Sequence, residues 1–313
     1  MHYNLIAIGR SRYLYNSIQH LASQGYSFKG IFTEQAYDEY DVSADDFHDL
    51  AKRLGAEIFT GKILSIDHIE RLIKTHNIQA AISANWRFTI PKNILELFEV
   101  GILNFHLGNL PDYKGNATVN WSIINNEKHI HANIHKMDTE LDAGDVITRE
   151  AISITSDTYI GDIIVEAERI APFLYESALK IVKENPRAYQ IKGTVHGMRC
   201  YPRLPEDSQV NWDQCPESIY SVVRASSRPY KGAYSFMDGK KVVFWKAKPF
   251  LQSEQISAVP GHVVNYDVDS GSVLVACKGG VLELQEIECD GKRVPPTDLI
   301  KSIRVRFKHL PND

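Results

Sequence analysis

Short apolar runs alternate with stretches of helical periodicity through the first half of the chain, and this rhythm narrows the fold more than any other feature. Tyr3–Gly9, Phe28–Thr33, Ala56–Phe59, Ala80–Ala84 and Ile102–Phe105 read as strands. Between them, Leu14, Ile18 and Leu21 mark one face of a helix over 14–23, and Ser43 caps a second helix ending at Leu54. Ile66–His76 is a third. Pro91 opens a fourth that runs to Phe98, in the first turn where a missing N–H costs nothing. The unbroken apolar run Ala80–Ala84 suits a strand buried on both faces. Strands and helices in this order predict an α/β fold with a doubly wound, mostly parallel sheet.

Farther on, Ala132–His135 and Val146–Ile154 read as strands, and Asp157–Glu184 as a long helix bent at Pro172 and stopped by Asn185–Pro186. Beyond Pro205 the texture changes. A short helix, Ser218–Ala225, precedes five apolar runs separated by glycine turns: Ala233–Met237, Val242–Lys246, Gly261–Tyr266, Ser272–Cys277 and Val281–Ile287. Such spacing predicts a small barrel or sandwich. A length of 313 residues fits two domains, expected at 1–203 and 204–313.

A net charge of −4 gives the molecule no overall attraction to nucleic acid or anionic membrane. The opening residues lack a basic region and a long apolar run, and nowhere are about 18 apolar residues consecutive, so a cytoplasmic location is expected. Cys200, Cys215, Cys277 and Cys289 form no CxxC pair. They are expected to be buried free thiols, and no metal is expected.

The densest polar stretch at a strand end is Asn104–Phe105–His106–Leu107–Gly108–Asn109–Leu110–Pro111. Sheets of this kind bind ligands beyond the carboxyl ends of their strands. Asn104 and His106 are two apart, so an extended chain turns both to one side. There a histidine can move a proton near neutral pH, and an amide can donate to a developing oxyanion. A carboxylate from the turn Leu141–Asp142–Ala143–Gly144–Asp145 would orient the imidazole. Taken singly, each stretch is also ordinary turn composition. The loop Gly9–Arg10–Ser11–Arg12–Tyr13 opens a helix and suits either phosphate binding or a plain N-cap with solvated arginines. It is not GxGxxG, which argues against a dinucleotide.

Asn104-x-His106, then Leu110–Pro111 and Gly115, then Leu141–Asp142–Ala143–Gly144–Asp145, together resemble the signature of the 10-formyltetrahydrofolate-dependent formyltransferases. The resemblance implies a Rossmann-like catalytic domain followed by a small OB-like barrel. It implies catalytic roles for Asn104, His106 and Asp142, with 10-formyltetrahydrofolate as co-substrate. The pterin pocket would be lined by Trp86, Arg87, Phe88, Thr89 and Ile90 on one side and Thr139, Leu141 and Asp142 on the other. Trp86 and Phe88 also suit a core position. Gly9, Ser11, Arg12 and Tyr13 would hold the acceptor's phosphate. Where many members carry Ser, this chain has Gly108. The stretch Glu34–Asp46 holds several acids and no Lys or Arg, which argues against a tRNA acceptor. Asn85–Pro91 and Asn120–Trp121 resemble the sugar N-formyltransferases, which implies a dTDP- or UDP-linked amino deoxy sugar as acceptor. Those enzymes are often homodimers. Methionyl-tRNA formyl transfer, formyltetrahydrofolate hydrolysis and a non-catalytic folate-binding role are the alternatives.

Overall fold

A computed structural model describes residues 3–35, 42–251 and 255–308. Its first half contains β1 (Asn4–Gly9), α1 (Arg12–Ser23), β2 (Ser27–Thr33), α2 (Ala44–Leu54), β3 (Glu57–Thr60), α3 (Ile66–His76), β4 (Ala80–Ala84), α4 (Lys92–Leu95) and β5 (Gly101–Leu107). Then come β6 (Lys114–Gly115), α5 (Thr118–Ile124), β7 (His129–Lys136), β8 (Val146–Ser153), α6 (Ile160–Glu184) and β9 (Arg199–Cys200). The remainder contains α7 (Pro216–Ser226), β10 (Ala233–Met237), β11 (Lys240–Phe250), β12 (Val263–Asp267), β13 (Ser272–Cys277), β14 (Gly280–Cys289), β15 (Lys292–Val294) and α8 (Pro296–Leu299).

Seven strands form one sheet in the order β3-β2-β1-β4-β5-β7-β8. The first five are parallel, and β7 and β8 complete the sheet antiparallel. This is the doubly wound α/β sheet expected from the rhythm of the first half. Strand order reverses between β1 and β4, so the loops after these two strands flank the switch point where such sheets bind ligands. One face is apolar below the site: Ile6, Ile8, Phe32, Ala81 and Ile102 pack with Ile69, Leu72, Ile90, Ile94 and Phe98. Ser43 accepts from Asp46 N and caps α2, as its position implied.

Several boundaries differ from expectation, and two of them have a clear local cause. The helix after Pro91 is four residues, because Leu97 N bonds Ile94 O and Phe98 N bonds Leu95 O, tight turns that seat Phe98 in the core. The long helix begins at Ile160, three residues after Asp157: Thr155 and Thr158 first make a hydrogen-bonded turn, and Asp162 then accepts from Tyr159 N.

The second sheet runs β10-β11-β14-β13-β12, with β15 on β14, and every pairing is antiparallel. Arg306 bridges His262 and Lys308 bridges Phe236, so one segment joins both edges and closes the sheet into a barrel. Its core holds Trp212, Ile219, Val223, Phe244, Val275, Leu284 and Phe307. The chain divides into two compact units. One comprises 1–118, 129–153 and 164–201; the other comprises 119–128, 154–163 and 202–313. In the second, Asn120 Nδ2 donates to Ala225 O, Ser221 Oγ to Asn126 Oδ1, and Arg224 to the carbonyls of Thr155 and Thr158. All four cysteines are free thiols; Cys215, expected to be buried, is exposed at the N-cap of α7, a terminus that faces solvent.

Candidate active site

The centre grows from three strands. Asn104 and His106 project from the same face of β5, as their spacing implied, and register sets His135 of β7 directly opposite Asn104. Asp142 enters from the β7–β8 turn, its backbone in the left-handed region at φ 50°. The turn presses so close to β7 that a Cβ on Gly144 would overlap the Lys136 carbonyl. Asp142 Oδ2 lies 3.5 Å from His106 Nδ1, and Oδ1 lies 3.6 Å from His135 Nε2. Gly115 N donates to Oδ2 at 2.8 Å. The other acid of the turn, Asp145, accepts from Lys192 and Gly193 N and takes no part in the centre.

Burial pushes the Asp142 carboxyl up. The neighbouring His106 and His135, the Gly115 N–H and the charge of Lys114 outweigh burial, and the carboxyl ends below its ordinary value. Burial dominates at His135. It lowers the imidazole to about 4 against the pull of Asp142, with His106 adding to the depression. The ring is therefore neutral at pH 7. Its Nδ1 lies 2.9 Å from the Lys136 carbonyl, which puts the proton on Nδ1. Nε2 is then an acceptor, and Asn104 Nδ2 donates to it at 3.0 Å. That bond orients the Asn104 carboxamide, leaving the second N–H of Nδ2 available for an oxyanion.

His106 is 9% exposed, and its Nε2 lies 3.2 Å from the Tyr113 carbonyl. A Cβ on Gly108 would lie 2.5 Å from both Nε2 and that carbonyl. A glycine is required here by close approach: the serine expected from the resemblance would displace this contact. Asn109 ties the same loop to β7, its Oδ1 accepting from His131 N and its Nδ2 donating to His129 O.

The remaining sequence candidates are spread around the switch point. Trp86 is half-buried against the apolar core and meets Phe88 edge-on at 5.6 Å. Ile90 is buried in that core, Thr89 is exposed, and Arg87 forms a two-point ion pair with Glu34 at 2.7 and 2.6 Å. Across the site, Thr139 is exposed, and Leu141 leaves 47% of its surface open beside the Asp142 carboxylate, which is 10% exposed. In the first loop, the close packing of Gly9 on the Ala84 carbonyl leaves no room for a Cβ. Ser11 is 1% exposed, and its hydroxyl has no partner among the described residues. Arg12 is half-exposed. Tyr13 packs on Phe105 with the rings tilted by 37°, on the sheet face opposite His106.

Sequence reading missed four participants. His135 belongs to a period-two polar row, His129, His131, Asn133 and His135, on one face of an otherwise apolar strand, and that row was the available signal. Lys114 and the Tyr113 carbonyl carried none beyond adjacency to Gly115. Glu34 was read with a solvated acidic loop, yet it is 2% exposed and paired with both Arg10 and Arg87. Part of that loop, 36–41, lies outside the described residues. Among the described residues, no cluster of three His, Cys, Asp or Glu side chains could hold a metal ion, and no helix is long and apolar enough to cross a membrane.

A family model described as "Formyl transferase" matches residues 7–173, and one described as "Formyl transferase, C-terminal domain" matches 204–304. The bifunctional polymyxin resistance protein ArnA of Wigglesworthia glossinidia brevipalpis is 25% identical over 216 residues, 66% of this chain and 31% of that protein. The fold is similar to that of HypX from Aquifex aeolicus, crystallised with tetrahydrofolic acid, at a TM-score of 0.60 and 17% identity, over 97% of this chain and 48% of HypX. It is also similar to an N-formyltransferase from Helicobacter canadensis, crystallised with folinic acid and dTDP-3-aminofucose, at a TM-score of 0.66 and 15% identity, over 90% and 99%. The chain thus spans about a third of the ArnA relative and about half of HypX. Matched by the first family model over more than half of its 313 residues, and by the second over most of the remainder, the chain belongs to the formyl transferase family.

Proposed function

We propose that this chain moves the formyl group of 10-formyltetrahydrofolate onto the amine of a nucleotide-linked amino sugar. The observation that carries the proposal is the convergence of Asn104, His106 and Asp142 on one point at the carboxyl end of β5. The acceptor nitrogen attacks the formyl carbon, and the carbonyl oxygen becomes an oxyanion facing the free N–H of Asn104. His106 takes the proton that the nitrogen sheds, and Asp142 holds the ring that now carries it. Collapse of the tetrahedral intermediate breaks the carbon–N10 bond, and the folate nitrogen leaves with the proton that His106 gives back, its delivery helped by Asp142. No covalent enzyme intermediate is needed. To act as base through Nε2, His106 must leave the Tyr113 carbonyl, so acceptor binding is expected to displace that contact.

The half-exposed Leu141 and the Trp86–Phe88 pair offer apolar surface suited to a flat pterin. The sugar assignment draws on Asn85–Pro91 and Asn120–Trp121. At the α1 N-terminus, the buried Ser11 hydroxyl, without a partner among the described residues, suits a diphosphate oxygen. The argument from acidity against a tRNA acceptor is weaker than the sequence suggested, since Glu34 is neutralised by two arginines and Asp46 caps α2.

The test is a formyl-transfer assay with 10-formyltetrahydrofolate and a panel of dTDP- and UDP-linked amino sugars, with methionyl-tRNA alongside. Transfer to one amino sugar supports the proposal. Transfer to methionyl-tRNA alone, or release of formate without any acceptor, overturns it.

A further inference from the structure

Lys114 is 5% exposed, an uncommon place for an ammonium. Its Nζ donates to three consecutive carbonyls, those of Thr194, Val195 and His196, at 3.1, 2.7 and 2.6 Å. Three donors meet three acceptors, so the charge is fully solvated by backbone. The flanking backbone is pinned to the same strand of chain: Lys114 N donates to Met198 O, and Asn116 N to Cys200 O. On either side of Lys114 stand the two backbone groups that touch the catalytic side chains. The Tyr113 carbonyl meets His106 Nε2 at 3.2 Å, and Gly115 N donates to Asp142 Oδ2 at 2.8 Å. Tyr113 holds φ 51°, a left-handed conformation that costs a non-glycine residue, while Gly115 takes φ 100°, which glycine adopts freely.

We propose that Lys114 is a positioning residue of the active site: by gathering the 194–196 carbonyls it fixes the Tyr113 carbonyl and the Gly115 N–H against His106 and Asp142. The proposal rests on the reading of those two residues as catalytic. A neutral side chain would leave three converging carbonyls without their shared donor, and residues 113–116 would relax away from β9. Arginine keeps the charge but spreads its donors over a planar fork that cannot gather three converging carbonyls as an ammonium does.

The test compares Lys114→Met and Lys114→Arg with the wild-type chain. Nitrogen-15 NMR titration of the imidazoles, with His106→Gln assigning the His106 resonances, reports the His106 environment without any acceptor. The Met variant is expected to shift both His106 nitrogens. It should also lose about 10- to 100-fold in kcat, the cost of a small misplacement of reacting groups. Binding of 5-formyltetrahydrofolate should stay within about threefold, separating positioning from loss of the pocket. Asp142 faces His106 from β5, His135 from β7, and Lys114 and the Gly115 N–H from β6. Losing two of these supports raises its pKa. The Arg variant should recover part of kcat and return the His106 nitrogens toward wild type. Unchanged His106 nitrogens with kcat within about threefold of wild type would overturn the proposal. So would parallel loss of folate binding and kcat that arginine does not relieve. If the Met variant does not fold, Lys114→Gln is read by the same criteria. A wild-type chain that transfers formyl to no acceptor would sink the functional reading alone, because the NMR comparison still decides the role of Lys114.

Discussion

Two imidazoles face one carboxylate in this centre, and their surroundings separate their tasks. His135 is sealed and neutral, with one nitrogen on the Lys136 carbonyl and the other accepting from Asn104. In the proposed reaction His106, 9% exposed, is the one that exchanges a proton with the substrate. Replacing His106 with Ala should lower formyl transfer by at least about 100-fold while folate still binds, as measured by steady-state rates and ligand titration. Gly108→Ala places a methyl 2.5 Å from His106 Nε2 and from the Tyr113 carbonyl, and kcat should fall by about tenfold or more through misplacement of the ring. His135 gives a pH signature. Its folded pKa, about 4, lies below the ordinary 6.5. As pH falls, the unfolded chain takes up this proton first, so the folded state loses stability between those two values. The His135→Gln variant should therefore show a flatter denaturation free energy across that window, measured with urea at several pH values. Spacing alone placed Asn104 and His106 on one face. The turn 141–145 was legible as the source of a carboxylate, but the choice of Asp142 over Asp145 came only through resemblance, because which acid faces the histidines depends on how Gly144 packs against β7.

At the scale of elements, the loops after β1, β2 and β4 are held together by one buried acid. Glu34 faces Arg10 and Arg87, and Arg10 also reaches the Asn85 and Gln35 carbonyls. Removing one member of a buried ion pair strands the other, so Glu34→Ala should cost about 3–5 kcal/mol, read as a drop in Tm or urea midpoint. The pair is worth less than that figure suggests, since part of the loss is the penalty on Arg10 left uncompensated. Strands and helices in this region were legible because burial on both faces writes a continuous apolar run and a helix writes its period. Glu34 was not, since an acid at a strand end looks the same whether it faces solvent or an arginine. In the barrel, β15 and α8 also escaped notice: three and four residues are too few to show a period.

For the molecule as a whole, the barrel unit takes two pieces of chain, 119–128 and 154–163, from within the stretch that builds the parallel sheet. The change of texture near 200–208 gave no hint of this, because composition reports where a new pattern starts and not which earlier segments return to it. A fragment comprising 204–313 lacks the Asn126 partner of Ser221, the carbonyls that hold Arg224 and the Asn120 amide on Ala225. Buried Arg224 would then lose two acceptors, and the fragment should melt well below the barrel transition of the full chain in calorimetry. The same threading sets an order on biosynthesis. Segments 119–128 and 154–163 leave the ribosome before residues 202–313 are made, so they wait with Asn120, Asn126 and the Thr155 and Thr158 carbonyls unmet until α7 arrives. During that interval these polar groups are met by water, and each must shed it when α7 docks.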